Sequence, residues 1–177
     1  RVLFYDKNLS ANNTISCASC HHQDKGFADG LTFSQGFNGG LTGRNSMSIV
    51  NTNYQRRFFW DERALSLEEQ VLMPIQDPIE MGMDLGDLEV KLGQLPYYAP
   101  LFEAAFGDTV VTSNRISKAL SQFLQSIRSF KSKYDLGVEN NFADFTVEEN
   151  TGRNMFFSGA FNCNHCHTTQ NFGGVTN

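Results

Sequence analysis

Two pentapeptides constrain this chain more than anything else in it. Cys17-Ala18-Ser19-Cys20-His21 stands near one end and Cys163-Asn164-His165-Cys166-His167 near the other. Each is C-x-x-C-H, the attachment signature of a c-type haem. Together they use all four cysteines, and the four histidines, His21, His22, His165 and His167, fall in or directly beside them. Two cysteines three apart lie on one side of a helical turn, where both thiols can form thioethers to the haem vinyl groups. The adjacent histidine then lies under the iron and supplies an imidazole nitrogen as proximal ligand. A single such run would also suit a disulfide, a redox C-x-x-C or half of a zinc site. Two runs that each place a histidine directly after the second cysteine favour haem over those readings. His165 and His22 read as exposed neighbours, not ligands.

Composition narrows the class. At 177 residues the chain has room for one domain or two small ones. No run approaches the roughly 18 consecutive apolar residues of a membrane span, which excludes an integral membrane helix protein. Its 14 Lys+Arg against 19 Asp+Glu leave a net charge of -5, a poor balance for binding nucleic acid. The charge is uneven: residues 61–108 hold eleven acids and two bases, and 113–134 hold five bases and no acid. Solvated helix faces explain this better than docking patches. The 16 Phe suit a large apolar packing partner, and a rich core accounts for them equally well. Covalent haem attachment takes place outside the bacterial cytoplasm, so the expected location is the periplasm or its membrane face. The opening at Arg1-Val2-Leu3-Phe4-Tyr5, without a signal peptide, reads as a processed or trimmed product.

Along the chain the pattern is helices and long loops, with no convincing strand. Residues 1–10 read as a helix end and a turn. Residues 24–59, rich in Gly, Asn, Ser and Thr, read as a long irregular loop, and such loops in compact domains are usually functional. Ser66 with Glu69 forms a candidate capping box for a short helix that Pro74 and Pro78 end early. Helices are expected from about Asp87 to Gln94 and over Tyr98–Phe106. The clearest covers 113–134, where Ile116, Leu120, Phe123, Leu124, Ile127 and Phe130 keep the 3.6-residue period and Ser113 is the cap candidate. Thr146 with Glu149 opens another, leading into the second motif. A helix running into C-x-x-C-H, twice, predicts an all-α chain of two cytochrome c-like haem domains, 1–134 and 135–177. The second is expected to be incomplete, because about 40 residues cannot enclose a haem. The sequence therefore reads as the first half of a longer protein.

These blocks resemble the bacterial di-haem cytochrome c peroxidases and their MauG-type relatives. The resemblance runs over the whole chain. It includes Leu3-Phe4-Tyr5-Asp6, Leu9-Ser10 and Ile15-Ser16-Cys17, then Gly43-Arg44-Asn45 and Phe59-Trp60-Asp61-Glu62-Arg63-Ala64. It continues through Leu67-Glu68-Glu69-Gln70, Glu80-Met81-Gly82 and Ala119-Leu120-Ser121-Gln122-Phe123, and ends with the second C-x-x-C-H. It implies two covalently bound c-type haems, on Cys17, Cys20 and His21 and on Cys163, Cys166 and His167. It implies that Glu80 is the distal acid that carries the peroxide proton from one oxygen to the other. Gln70 would line the same pocket, and Trp60 would lie between the haems where electrons pass. Asn45 would ligate a calcium ion whose other protein ligands lie past residue 177. Members often form homodimers and draw electrons from a small cytochrome c or cupredoxin.

One departure matters. Many peroxidases of this family carry a histidine in the glycine-rich loop that blocks the first haem until the second is reduced. No histidine stands between His22 and His165. The corresponding stretch is Ser34-Gln35-Gly36-Phe37-Asn38-Gly39, with Phe37 near the expected place, and Phe cannot ligate iron. The expected first haem is therefore open on its distal side, with Met47, Met81 and Met83 as the remaining candidates for a sixth ligand. The functional expectation is a periplasmic peroxidase that reduces hydrogen peroxide. The alternatives are a MauG-like enzyme that oxidises residues of a partner protein and a di-haem electron carrier.

Overall fold

The sidedness of one helix organises the fold. Helix α6 (Ser113–Ser126) buries Ile116, Leu120 and Leu124 at successive i+4 positions, with Ser117 and Ser121 between them on the same face. Full burial of each large aliphatic side chain stabilises by about 1.5–3 kcal/mol. Helices α1 (Val2–Tyr5), α2 (Leu67–Gln70) and α4 (Leu85–Gly93) pack against that face. They bring Phe4, Leu67, Leu88 and Leu92 into one core. The remaining helices are α3 (Met73–Gln76), α5 (Tyr98–Phe106), α7 (Lys133–Glu139), α8 (Val147–Phe157) and α9 (Cys163–Cys166). The computed structural model describes residues 1–167. Among them β-structure is confined to three isolated bridges, His22 with Ala28, Gln35 with Leu41 and Phe58 with Ala64. The expected all-α class holds, and each bridge closes a loop.

The boundaries depart from expectation where a loop or a cap competes with the helix. Thr112, not Ser113, caps α6, its hydroxyl accepting from the Arg115 amide at 3.3 Å. The helix stops at Ser126 instead of running to 134, because Asn51 takes over the next backbone groups. The Asn51 amide donates to the Ile127 carbonyl at 2.9 Å, and its side chain both donates to and accepts from the Ser129 backbone. Pro74 does not end α2; it sits in the first turn of α3, where a missing N–H is harmless. Ser66 caps α2 as expected, but the Glu69 carboxylate reaches back to the Leu65 amide, not to that of Ser66. The capping box at Thr146 and Glu149 forms in full. The helix Tyr98–Phe106 ends at left-handed Gly107. Helix α7 crosses the expected division between residues 134 and 135.

Candidate haem site

A cavity of about 370 Å³ opens beneath α2, α3 and α6, within the usual size range of cofactor pockets. One wall is the first motif, Cys17, Cys20 and His21. Cys17–Ser19 forms a single 3-10 turn, and the Ser19 hydroxyl accepts from the Ser16 amide at 3.0 Å. Gly26 (φ 65) and Phe27 (φ 59) are successive left-handed residues just beyond it. Phe cannot take this conformation without cost, and here the ring is anchored edge-on to core Phe4 at 6.4 Å. The result is that the Phe27 carbonyl points back at His21, whose Nδ1 lies 2.9 Å away. A carbonyl only accepts, so Nδ1 carries the hydrogen and Nε2 keeps its lone pair for a metal. Burial also pushes the His21 pKa down, favouring the neutral imidazole that metal ligation needs.

The residues expected on the distal side line the same cavity. Glu80, Gln70 and Trp60 all line this cavity, and so does Asn45. Glu80 is half-buried, and among the described residues no group hydrogen-bonds its carboxyl. Burial pushes its pKa up, as does the neighbouring Asp77 carboxylate, while Arg63 pulls it down. Gln70 projects from the end of α2, beside Val71 and Pro74. Trp60 sits in the loop closed by the Phe58–Ala64 bridge, with Phe59 (φ 70) and Glu62 (φ 56) both left-handed. Two such residues in one short loop are strain of the kind that collects at functional sites. The strained turn leaves the indole 58% exposed, its N–H donating to the Asn45 carbonyl at 3.1 Å. Trp60 and Asn45 also line a shallow open depression with Leu31, Phe33 and Arg44.

Phe37 does not occupy the distal position. Its ring packs on Gly82, where an added Cβ would come within 2.5 Å of it, and it is not part of the cavity wall. From that loop Ser34, Gln35 and Gly36 line the cavity. Met47 and Met81 reach the wall, and Met83 is buried away from it. Sequence reasoning missed several residues of the site: Phe27, whose carbonyl orients His21; Asp77; Arg63; and Thr52. The Thr52 hydroxyl is buried in the wall without a partner among the described residues.

These features fit a covalently held haem. The two cysteines and the oriented imidazole line one space of cofactor size. Among the described residues no three His, Cys, Asp or Glu side chains converge on a point where they could hold a metal ion by themselves. Burial pushes the Cys17 thiol up to about 12 and raises that of Cys20, so both are neutral thiols in the protein itself. In the second motif, Cys163 and Cys166 open and close the single turn α9. His167 follows it, its ring 6.2 Å from that of Phe156, and His165 is exposed. His22 is half-buried, its backbone paired with Ala28. Among the described residues no helix is long and apolar enough to cross a membrane.

Fold and site therefore define a helical c-type haem protein in which His21 of the first motif and Glu80 line one cavity. The chain belongs to the di-haem cytochrome c peroxidase family, whose profile matches residues 1–142. It is 34% identical over 173 residues to the methylamine utilization protein MauG of Methylorubrum extorquens, a match covering 97% of this chain and 49% of the relative. It is 33% identical to the cytochrome c551 peroxidase of Nitrosomonas europaea, over 98% of this chain and 52% of that one. The crystal structure of a MauG-like protein associated with microbial copper homeostasis superposes with a TM-score of 0.83 at 34% identity, over 99% of this chain and 53% of that chain. The chain thus spans about half the length of the relatives it matches. The two covalently bound c-type haems of the family correspond to its two C-x-x-C-H motifs.

Proposed function

We propose that this chain carries the peroxide-binding half of a periplasmic di-haem peroxidase, which reduces hydrogen peroxide to water with electrons from a small cytochrome c or cupredoxin. One observation carries the reading. The Glu80 carboxyl, free of hydrogen bonds among the described residues, lines the same cavity as the imidazole of His21. When bound, the haem supplies the iron that takes peroxide and the electrons that reduce it. Glu80 takes the proton from one peroxide oxygen and delivers it to the other, which leaves as water; two electrons from the donor protein and two protons from solvent convert the remaining oxygen to a second water. Burial and Asp77 make its carboxylate a stronger base than an ordinary surface one, and such proton transfer contributes typically about 10²–10⁴-fold. The Gln70 amide holds the peroxide in place. Trp60, exposed beside the cavity, lies on the route by which electrons arrive from the haem held by His167. Residues 1–134 form the peroxide-binding domain and 135–177 begin the electron-receiving one, with Asn45 offered to calcium between them. The test is to add peroxide to the full-length protein with a reduced small cytochrome c. Oxidation of the cytochrome supports the reading, and its persistence in the reduced state contradicts it.

A MauG-like reading is favoured by a separate observation. The glycine-rich loop presents Ser34, Gln35 and Gly36 to the cavity and no imidazole. A haem held by His21 would then need no reductive activation to displace a loop imidazole before peroxide could bind. On this reading the haems that Cys17, Cys20 and His21 and Cys163, Cys166 and His167 would hold would supply the oxidising power to modify a residue of a partner protein, and a mass change in a co-purified partner after peroxide treatment supports it.

A further inference from the structure

Asp77 is the residue around which the Glu80 turn is built. Its Oδ1 accepts from the Ile79 amide at 2.8 Å and from the Glu80 amide at 3.1 Å. Its main-chain oxygen accepts from the Met81 and Gly82 amides at 3.2 and 2.8 Å. One residue thus satisfies four consecutive amides, and Gly82 (φ 62) provides the left-handed exit. Pro78 directly after Asp77 donates nothing and restricts the backbone before it. The far side of the turn is fixed independently, by the Phe37 amide donating to the Glu80 carbonyl at 2.9 Å. Asp77 is half-buried and lines the cavity alongside Glu80.

We propose that Asp77 is a positioning residue for Glu80, its carboxylate fixing the turn that aims Glu80 into the cavity while its negative charge acts on the Glu80 carboxyl. An amide at position 77 would keep the acceptor oxygen that ties the turn. Only a carboxylate adds a like charge beside the proton carrier. The groups that act on Glu80 electrostatically are Asp77 from its own turn, Arg63 from the Phe58–Ala64 loop, and Cys17 and Cys20 of the first motif. The two sulfurs are uncharged once they are thioethers, and Arg63 is always protonated. Asp77 is therefore the negative group set against Glu80, with Arg63 opposing it. The Arg63 guanidinium is itself shared, bonded to Asp61 at 2.8 Å and stacked 3.5 Å over the Phe59 ring.

This inference rests on Glu80 being the proton carrier, so the readout is chosen to be independent of turnover. The infrared carboxyl band of Glu80, identified by its loss in Glu80→Gln, is titrated in the full-length haem protein and in Asp77→Asn. The expected result is a midpoint at lower pH in Asp77→Asn, with the acid limb of peroxide consumption moved in the same direction. On that limb the rate climbs about tenfold per pH unit, so a limb displaced by about one pH unit gives a roughly tenfold faster rate at fixed pH. Asp77→Ala, which removes the acceptor, is expected to lower peroxide consumption at least tenfold at every pH with haem content unchanged. A band midpoint in Asp77→Asn identical to wild type overturns the electrostatic part. Wild-type consumption in Asp77→Ala overturns the positioning part. A shifted band accompanied by full peroxide consumption in Glu80→Gln supports the Asp77 inference and sinks the catalytic reading of Glu80 instead.

Discussion

The glycine-rich loop and the Glu80 turn touch backbone to backbone, which makes Gly36→Ala a severe test of how Glu80 is held. A Cβ built on Gly36 lies 1.6 Å from the Ile79 carbonyl oxygen, 2.7 Å from its carbon and 3.3 Å from the Glu80 oxygen. These are backbone atoms, so no rotamer change relieves the clash. Restoring ordinary contact at 3.4 Å requires the two segments to part by about 1.8 Å. That separation breaks the Phe37-to-Glu80 hydrogen bond at 2.9 Å, worth about 1 kcal/mol. Overpacking adds about 1–3 kcal/mol. The expected loss of stability is therefore about 2–4 kcal/mol. A displacement of about 1 Å at a reacting group lowers rates by roughly 10²-fold, so peroxide consumption should fall at least that far. Thermal unfolding and peroxide consumption of the full-length haem protein are to be measured together, with Gly43→Ala as the control, since nothing lies within 4 Å of a Cβ there. Wild-type stability and turnover in Gly36→Ala would refute the claim that this backbone contact holds Glu80.

Two further outcomes follow from the site. Trp60→Phe keeps an aromatic ring but removes the N–H that binds the Asn45 carbonyl; haem content should be unchanged while electron transfer from a reduced donor, followed by stopped flow, slows at least several-fold. Asp29 is buried, and although burial pushes its pKa up, hydrogen bonds from the Ser34 hydroxyl and the Leu31 amide bring it below the usual carboxylate range. Its contribution to stability is present above the unfolded pKa of about 3.9 and is lost as pH falls through the folded value. Asp29→Asn should therefore lower stability at neutral pH and flatten its decline in acid, as read by denaturant melts across that range.

The haem-bearing half of the chemistry was legible because it depends on covalent spacing. Cysteines three apart with a following histidine carry their reason in one turn of backbone. Helices such as Tyr98–Phe106, with Gly107 after it, were legible for the same local reason. What local pattern could not supply was competition from distant segments. Nothing around Ile127 announces that Asn51 will claim its carbonyl, so the expected helix to 134 stops at Ser126. Phe27 was invisible as a histidine-orienting residue because its role lies in a carbonyl aimed by a left-handed turn. Phe37 was misplaced because its position along the loop says nothing of the Gly82 surface that receives its ring. Asp77 did leave a signal, an Asp-Pro step of the kind that initiates turns, three residues before Glu80.

The most direct test of the central claim, that Glu80 carries the proton at an open haem held by His21, is one mixing experiment. Stoichiometric peroxide is added to the fully ferric full-length protein, wild type and Glu80→Gln, and the optical and EPR spectra are followed in time. The account predicts a high-spin haem signal that vanishes at once in wild type and persists at least about 10²-fold longer in the variant. Equal rates in the two proteins would contradict it, as would a wild-type protein that is low-spin throughout and unmoved by peroxide.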